Sequence, residues 1–175
     1  MKEVIDWSLH ILIAVIVGLL IVRFVAQITI VNKTSMLPTL QHGNVLIVEK
    51  ISHKLGKLHR GDIVTINDIE VGGEKEIIVK RVIALENDTV EIKDGKVYVN
   101  NKRLEEKYTN GDTTLEVDPK YSKLTVPKGY IYVLGDNRLP GQSLDSRTVG
   151  PVKIKQIRGK VIFRLLPLNK FGKVN

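Results

Sequence analysis

The sequence predicts a mainly β fold, a compact antiparallel, barrel-like sheet assembly carried on one N-terminal membrane helix. Three observations lead there. The single long apolar run, Ile11 to Val22, lies close to the N-terminus. Beyond it the chain changes to short β-branched runs separated by turn residues. Asp94-Gly95, set between Val90-Glu91-Ile92 and Val97-Tyr98-Val99, is a strong two-residue hairpin signal. Residues 1–27 are therefore expected to form the anchor and residues 28–175 one β-rich domain, with 105–123 as an exposed, variable excursion.

The helix is expected from Trp7 to about Ala26. Its uninterrupted apolar core, Ile11 to Val22, is 12 residues, short for a span. It becomes long enough when His10 and Arg23 sit at the two interfaces, with Arg23 snorkelling and Trp7 as an interfacial anchor. A buried core helix is disfavoured, because the segment is apolar all round and stands alone at the N-terminus. A cleaved signal peptide competes, but Glu3 and Asp6 dilute the charge of Lys2, and a cut after Ala26 would put bulky Phe24 where a small residue is needed. A retained anchor is the expectation, its orientation weakly specified by Lys2. Strands are expected at Val45–Glu49, Ile63–Ile66, Glu76–Leu85, Thr89–Ile92, Val97–Asn100, Tyr130–Leu134 and Lys160–Leu165. Gly72-Gly73 should turn between strands, and a short helix is expected around Glu49–Lys57.

Composition narrows the chemistry. The absence of cysteine excludes disulfides and thiolate metal sites. His10, His42, His53 and His59 show no ligand-like spacing for a metal. The net charge of +8, from 27 basic and 19 acidic residues, is spread along the chain without aromatic interleaving. That pattern suits a solvated surface mildly attracted to a lipid bilayer better than one that binds nucleic acid.

Three stretches can carry a reaction. In Lys33-Thr34-Ser35-Met36-Leu37-Pro38-Thr39-Leu40, Pro38 stops any regular element, and a serine on a rigid turn can be aimed at a substrate. An alcohol needs a base to become a nucleophile. In the strand Glu76 to Ile83, Ile78, Lys80 and Val82 form one row and Ile77, Val79, Arg81 and Ile83 the other. At least one of the two cations then lies close to an apolar surface. A desolvated lysine becomes a usable base near neutral pH, whereas arginine stays protonated. Surface snorkelling of both is the competing reading. The third stretch, Gly135-Asp136-Asn137-Arg138 followed by Ser143-Leu144-Asp145-Ser146-Arg147 and Gly150, suits a loop held by its own polar network.

Ser35-Met36-x-Pro38-Thr39, Arg60-Gly61-Asp62-Ile63-Val64, Lys80-Arg81-Val82-Ile83 and Gly135-Asp136-Asn137-Arg138 with Ser143-x-Asp145-Ser146-Arg147 occur in an order that resembles the type I signal peptidases. The resemblance runs from the anchor to about Val152. It implies a membrane-bound serine endopeptidase with Ser35 as nucleophile and Lys80 as general base, working without a cofactor. It further implies that Ser143 orients the lysine while Asp145 and Arg147 brace the loop. Substrates would be secretory preproteins, with Val31, Met36, Ile78 and Val79 bounding pockets for the small residues before the cut. The catalytic domain would sit on the extracytoplasmic face of the cell membrane, tethered by a single pass.

The chain departs from the family pattern in three places. Four residues, Leu139 to Gln142, separate Arg138 from Ser143 where two are usual, which makes Ser146 a rival for the orienting role. Ala84-Leu85-Glu86-Asn87-Asp88 replaces a Gly-x-Pro-Gly-Asp turn, and Lys33 stands where some members carry a hydroxyl. Two other functions compete. One is a self-cleaving Ser-Lys protease of the SOS-repressor type, which the apolar N-terminus disfavours. The other is a non-enzymatic, membrane-tethered β module, which would keep Ser35 and Lys80 far apart.

Overall fold

The computed structural model describes residues 2–71 and 73–174. Helix α1 spans Lys2–Leu20 and runs on as a π-helical turn, Ile21–Val25. Its side chains from Asp6 onward are exposed on every side, and Asp6–Val25 is long and apolar enough to cross a membrane. The chain then enters strand β1, Ala26–Ile30, without a linker.

The main sheet is antiparallel, ordered β1, β2 (Val45–Glu49), β11 (Ile157–Leu166), β3 (Ile63–Val71), β4 (Glu74–Ala84), β9 (Tyr130–Leu134) and β10 (Val152–Lys153), with β12 (Gly172–Lys173) added beside β11. A second sheet takes the order β7 (Lys102–Arg103), β6 (Lys96–Val99), β5 (Thr89–Lys93) and β8 (Lys123–Thr125). The mainly β class holds, and the alternation of apolar residues explains the core. Val64, Ile66, Ile78, Val82, Ile131 and Val133 meet in one cluster; Ile83, Val90, Ile92, Val97, Tyr132 and Leu134 join the two sheets in another.

The expected hairpin forms at Asp94-Gly95, both with positive φ, joining β5 to β6. Of the Gly72-Gly73 turn, Gly72 lies outside the described residues; Gly73 has φ +88° between β3 and β4. The short helix expected around Glu49–Lys57 is instead a run of turns. The Glu49 carboxylate takes the N–H groups of Ile51 and Ser52 as a helix cap would, but Gly56, with φ +66°, ends the turn almost at once. Short helices form instead at α2 (Pro119–Ser122) and α3 (Ser146–Val149), each opened by an aspartate that accepts a backbone N–H. The segment 105–123, expected as an exposed excursion, keeps Leu115 and Val117 outside but buries Thr114 and Ser122 and turns Glu106 inward.

Gly159 sits where β11 runs close to β2, since an added Cβ would fall on the Glu49 carbonyl oxygen. Gly159→Ala should therefore force β11 away from β2 and lower stability by about 1–3 kcal/mol, read from denaturant unfolding. An unchanged midpoint would show that the strand pair has slack at this position.

Candidate active site

The turn that carries Ser35 is fixed on both sides of the serine. After β1, Val31 exchanges backbone hydrogen bonds with Asn44 and Gly43, and residues 33–39 form a tight turn with a cis Leu37–Pro38 peptide. Met36 and Leu40 plug the turn into a core cluster with Val31, Leu46, Val48, Ile63 and Val161. The turn is thus nailed down by apolar side chains next to the serine.

Lys80 comes from the middle of β4, opposite Val64 of β3. Its Nζ lies 2.6 Å from Ser35 Oγ and 3.1 Å from the Val79 carbonyl oxygen, and the residue is 2% exposed. Burial pulls its pKa down to about 8, helped by Lys33 and Arg147 and opposed by Asp145 and Asp136. At that value a useful fraction of the amine is neutral near pH 7–8 and can accept the serine proton. Snorkelling is ruled out for Arg81 as well. It is buried on the opposite face of the strand, where its guanidinium grips both oxygens of Asp136 (2.9 and 2.7 Å), donates to the Gly61 carbonyl, and stacks 3.9 Å from the centre of the Tyr108 ring.

The loop after β9 reaches back to the serine. Asn137 donates its backbone N–H to the Ser35 carbonyl at 2.9 Å and its side-chain amide to the Thr34 carbonyl at 3.1 Å. Gly135 is required by proximity, because a Cβ there would collide with the Ser143 hydroxyl and the Ser35 carbonyl oxygen. Asp145, fully buried, accepts from Gly135 N–H, from the Ser143 hydroxyl at 2.7 Å and from Arg147 at 2.9 and 2.8 Å. Those partners hold its carboxyl below the usual range despite burial.

The Ser143 hydroxyl therefore donates to Asp145 and makes no hydrogen bond to Lys80, contrary to the direct orienting contact expected of it. Ser146, the rival, is buried elsewhere, its hydroxyl accepting the Val133 N–H. The segment Leu139 to Gln142, two residues longer than usual, forms an exposed turn with φ +70° at Gly141, and Asp145 and Arg147 still pair beyond it. Asn137 and Thr39 were not singled out from the sequence. Thr39 donates to Asp136 at 2.5 Å, and the only signal for either was its place inside a candidate motif.

Two clefts meet at Ser35 and Lys80. The first, about 450 Å³, lies between Thr29–Lys33 and Lys75–Lys80 and takes in Val31, Met36, Ile78 and Val79. The second, about 430 Å³, continues past Ser35 to Gly141, Gln142 and Leu144. β9 pairs with β4 only from Arg81 onward, so, among the described residues, 76–80 of β4 present an edge without a strand partner to the first cleft, and β1 is an edge strand opposite. Lys33 and Glu76 form an ion pair between the two walls. Among the described residues no group of histidine and carboxylate side chains could hold a metal ion.

The chain matches the family model described as signal peptidase, peptidase S26, over residues 4–166. It is 43% identical over 161 residues to signal peptidase I of Bacillus caldolyticus, covering 85% of this chain and 84% of that protein. With signal peptidase I of Bacillus licheniformis the identity is 38% over 179 residues, covering 97% and 92%. A crystal structure of a signal peptidase I from Enterococcus faecalis is also similar, at 33% identity and a TM-score of 0.47, covering 59% of this chain and 96% of that one.

The loop network makes an unequal prediction. Arg147→Ala should cost about 3–5 kcal/mol in thermal or denaturant unfolding, because Asp145 is left buried without its cation. Ser143→Ala removes one of several donors and should cost only about 1–2 kcal/mol. Equal losses would show that Asp145 does not depend on Arg147.

Proposed function

The chain belongs to the signal peptidase family, peptidase S26, as a serine endopeptidase acting on signal peptides, and we propose that it cuts them with Ser35 as nucleophile and Lys80 as general base. The observation that carries this reading is the 2.6 Å approach of a serine hydroxyl to a buried lysine amine with a lowered pKa. The neutral amine takes the Ser35 proton as Oγ attacks the scissile carbonyl carbon. The resulting oxyanion faces the Ser35 backbone N–H, which donates to no group among the described residues. On collapse, the C–N bond breaks and Lys80 returns the proton to the leaving amine. Water, deprotonated by the same lysine, then hydrolyses the ester and frees the serine.

The substrate lies extended in the first cleft, pairing with that edge of β4 as an added strand. Val31, Met36, Ile78 and Val79 leave room there for small side chains at alternate positions before the cut. The mature chain leaves through the second cleft. Ser143, Asp145 and Arg147 act together: the serine and arginine fix the carboxylate, and the carboxylate fixes Gly135 against the Ser35 turn.

The anchor spans the cell membrane once and holds the domain on the extracytoplasmic face. Ser35 lies nine residues beyond Ala26, at most about 30 Å of extended chain. A signal peptide's cleavage site lies just beyond its own apolar segment. Enzyme and preprotein therefore meet at one membrane surface, and no nucleic acid takes part.

Ser35→Ala and Lys80→Ala should each abolish cleavage while leaving the domain folded by circular dichroism. Lys80→Arg should fail as well, since guanidinium cannot accept the proton; an active Lys80→Arg enzyme would remove lysine from the base role. For the wild type, kcat/KM should rise with pH as the ammonium loses its proton and level off above about pH 8. A profile flat from pH 6 to 9 would refute the assignment.

A further inference from the structure

We propose that the segment from Glu106 to Thr114 is a positioning clamp for the nucleophile, acting through the loop Asp136-Asn137-Arg138. The proposal rests on Ser35 being the nucleophile. This segment is polar throughout, yet its contacts are directed at the loop that holds Ser35.

Three separate contacts make the clamp. The backbone of Asn110 lies alongside Asn137 as a single parallel bridge, its N–H donating to the Asp136 carbonyl and its carbonyl accepting the Arg138 N–H, both at 2.8 Å. The Asn110 side-chain amide donates to Asn137 Oδ1 at 3.2 Å. Asn137 in turn directs its own two donors to the carbonyls of Thr34 and Ser35. The second contact is the buried Arg138 guanidinium, which binds both carboxylate oxygens of Glu106 and the Thr114 hydroxyl while its Nε donates back to the Gly135 carbonyl. The third is the Tyr108 ring over Arg81, the residue whose guanidinium holds Asp136. Tyr108 also donates its hydroxyl to Glu106, which links the second contact to the third.

The clamp has a support of its own. Thr114 N–H donates to the Gly95 carbonyl, and Lys96 Nζ to the Asp112 carbonyl, so the far end of the segment is tied to the β5–β6 hairpin of the second sheet. One continuous chain of contacts thus runs from that sheet to the carbonyl of Ser35. Small displacements of an attacking atom cost large factors in rate, which gives such a chain something to do. None of its members touches the Lys80 amine.

The decisive test is kinetic, on the full chain in detergent micelles with a signal-peptide substrate. Asn110→Ala keeps both backbone hydrogen bonds of residue 110 and removes only the side-chain link to Asn137. It should lower kcat about 10-fold, the rate equivalent of one lost hydrogen bond, with KM within about two-fold. The midpoint of the pH profile should stay at about 8, because Lys80 is untouched. Asn110→Asp, which sets an acceptor against Asn137 Oδ1, should lose at least as much. Glu116→Gln, an exposed change in the same stretch, should match the wild type. In a double-mutant cycle, adding Asn110→Ala to Asn137→Ala should cause little further loss. Additive losses, a rise in KM with kcat intact, a displaced pH midpoint, or a kcat that falls only in step with the folded fraction would each overturn the clamp. If Ser35→Ala still cleaved, the nucleophile assignment would fall instead, whatever Asn110 does.

Discussion

Everything in this site depends on one amine being kept out of water without a carboxylate of its own. Three arginines are buried in the same domain, and each has a private acid: Arg81 with Asp136, Arg138 with Glu106, Arg147 with Asp145. Lys80 is left over and makes no ion pair among the described residues. A carboxylate in contact with it would restore an ordinary lysine pKa and unfit it for the base role proposed above. The arginines consume the nearby negative charge while supplying the rigidity that paired buried charges give. The arrangement costs stability, since holding the amine near 8 rather than its ordinary value corresponds to about 3 kcal/mol. Buried Met36 and Ile78 line the same cleft as the amine, and buried Val82 follows Lys80 on the same row of β4.

The separation of neighbours Lys80 and Arg81 shows what a strand can do with adjacent cations. Alternation sends them to opposite faces, and each face imposes a different chemistry. Lysine meets a hydroxyl and a backbone carbonyl; arginine meets an acid and an aromatic ring. Exchanging them would put a permanently charged group against the serine and a flexible point charge into a bidentate slot.

Much of this was legible in the sequence. The turn around Pro38 announced a rigid serine, the two rows of β4 announced a cation against an apolar surface, and Asp94-Gly95 announced its hairpin. The rest depends on partners distant along the chain. Nothing local to Arg81 specifies its burial, because the groups that accommodate it, Asp136 and Tyr108, belong to other segments. The stretch from Glu105 to Lys123 looked exposed because its residues are polar, but polar residues bury when they find charged partners, as Glu106 does. Strand β1 escaped notice because Ala26–Ile30 reads as the tail of the apolar run. The role of Ser143 was misplaced by one contact, since a hydroxyl two residues from an aspartate can be satisfied locally.

The junction between helix and sheet has no slack. Lys50 N–H donates to the Val25 carbonyl, the Lys50 amine caps the carbonyls of Val22 and Arg23, and Ala26 is already paired with Glu49. With α1 seated in a bilayer, the domain is mounted on a stiff post rather than hung from a cord. Ser35 then rides at a set height above the lipid, fixed by five residues of strand and one turn. On the function proposed above, such a device would work as a gauge: among several small-residue motifs along one preprotein, it would favour the one that emerges at its own altitude.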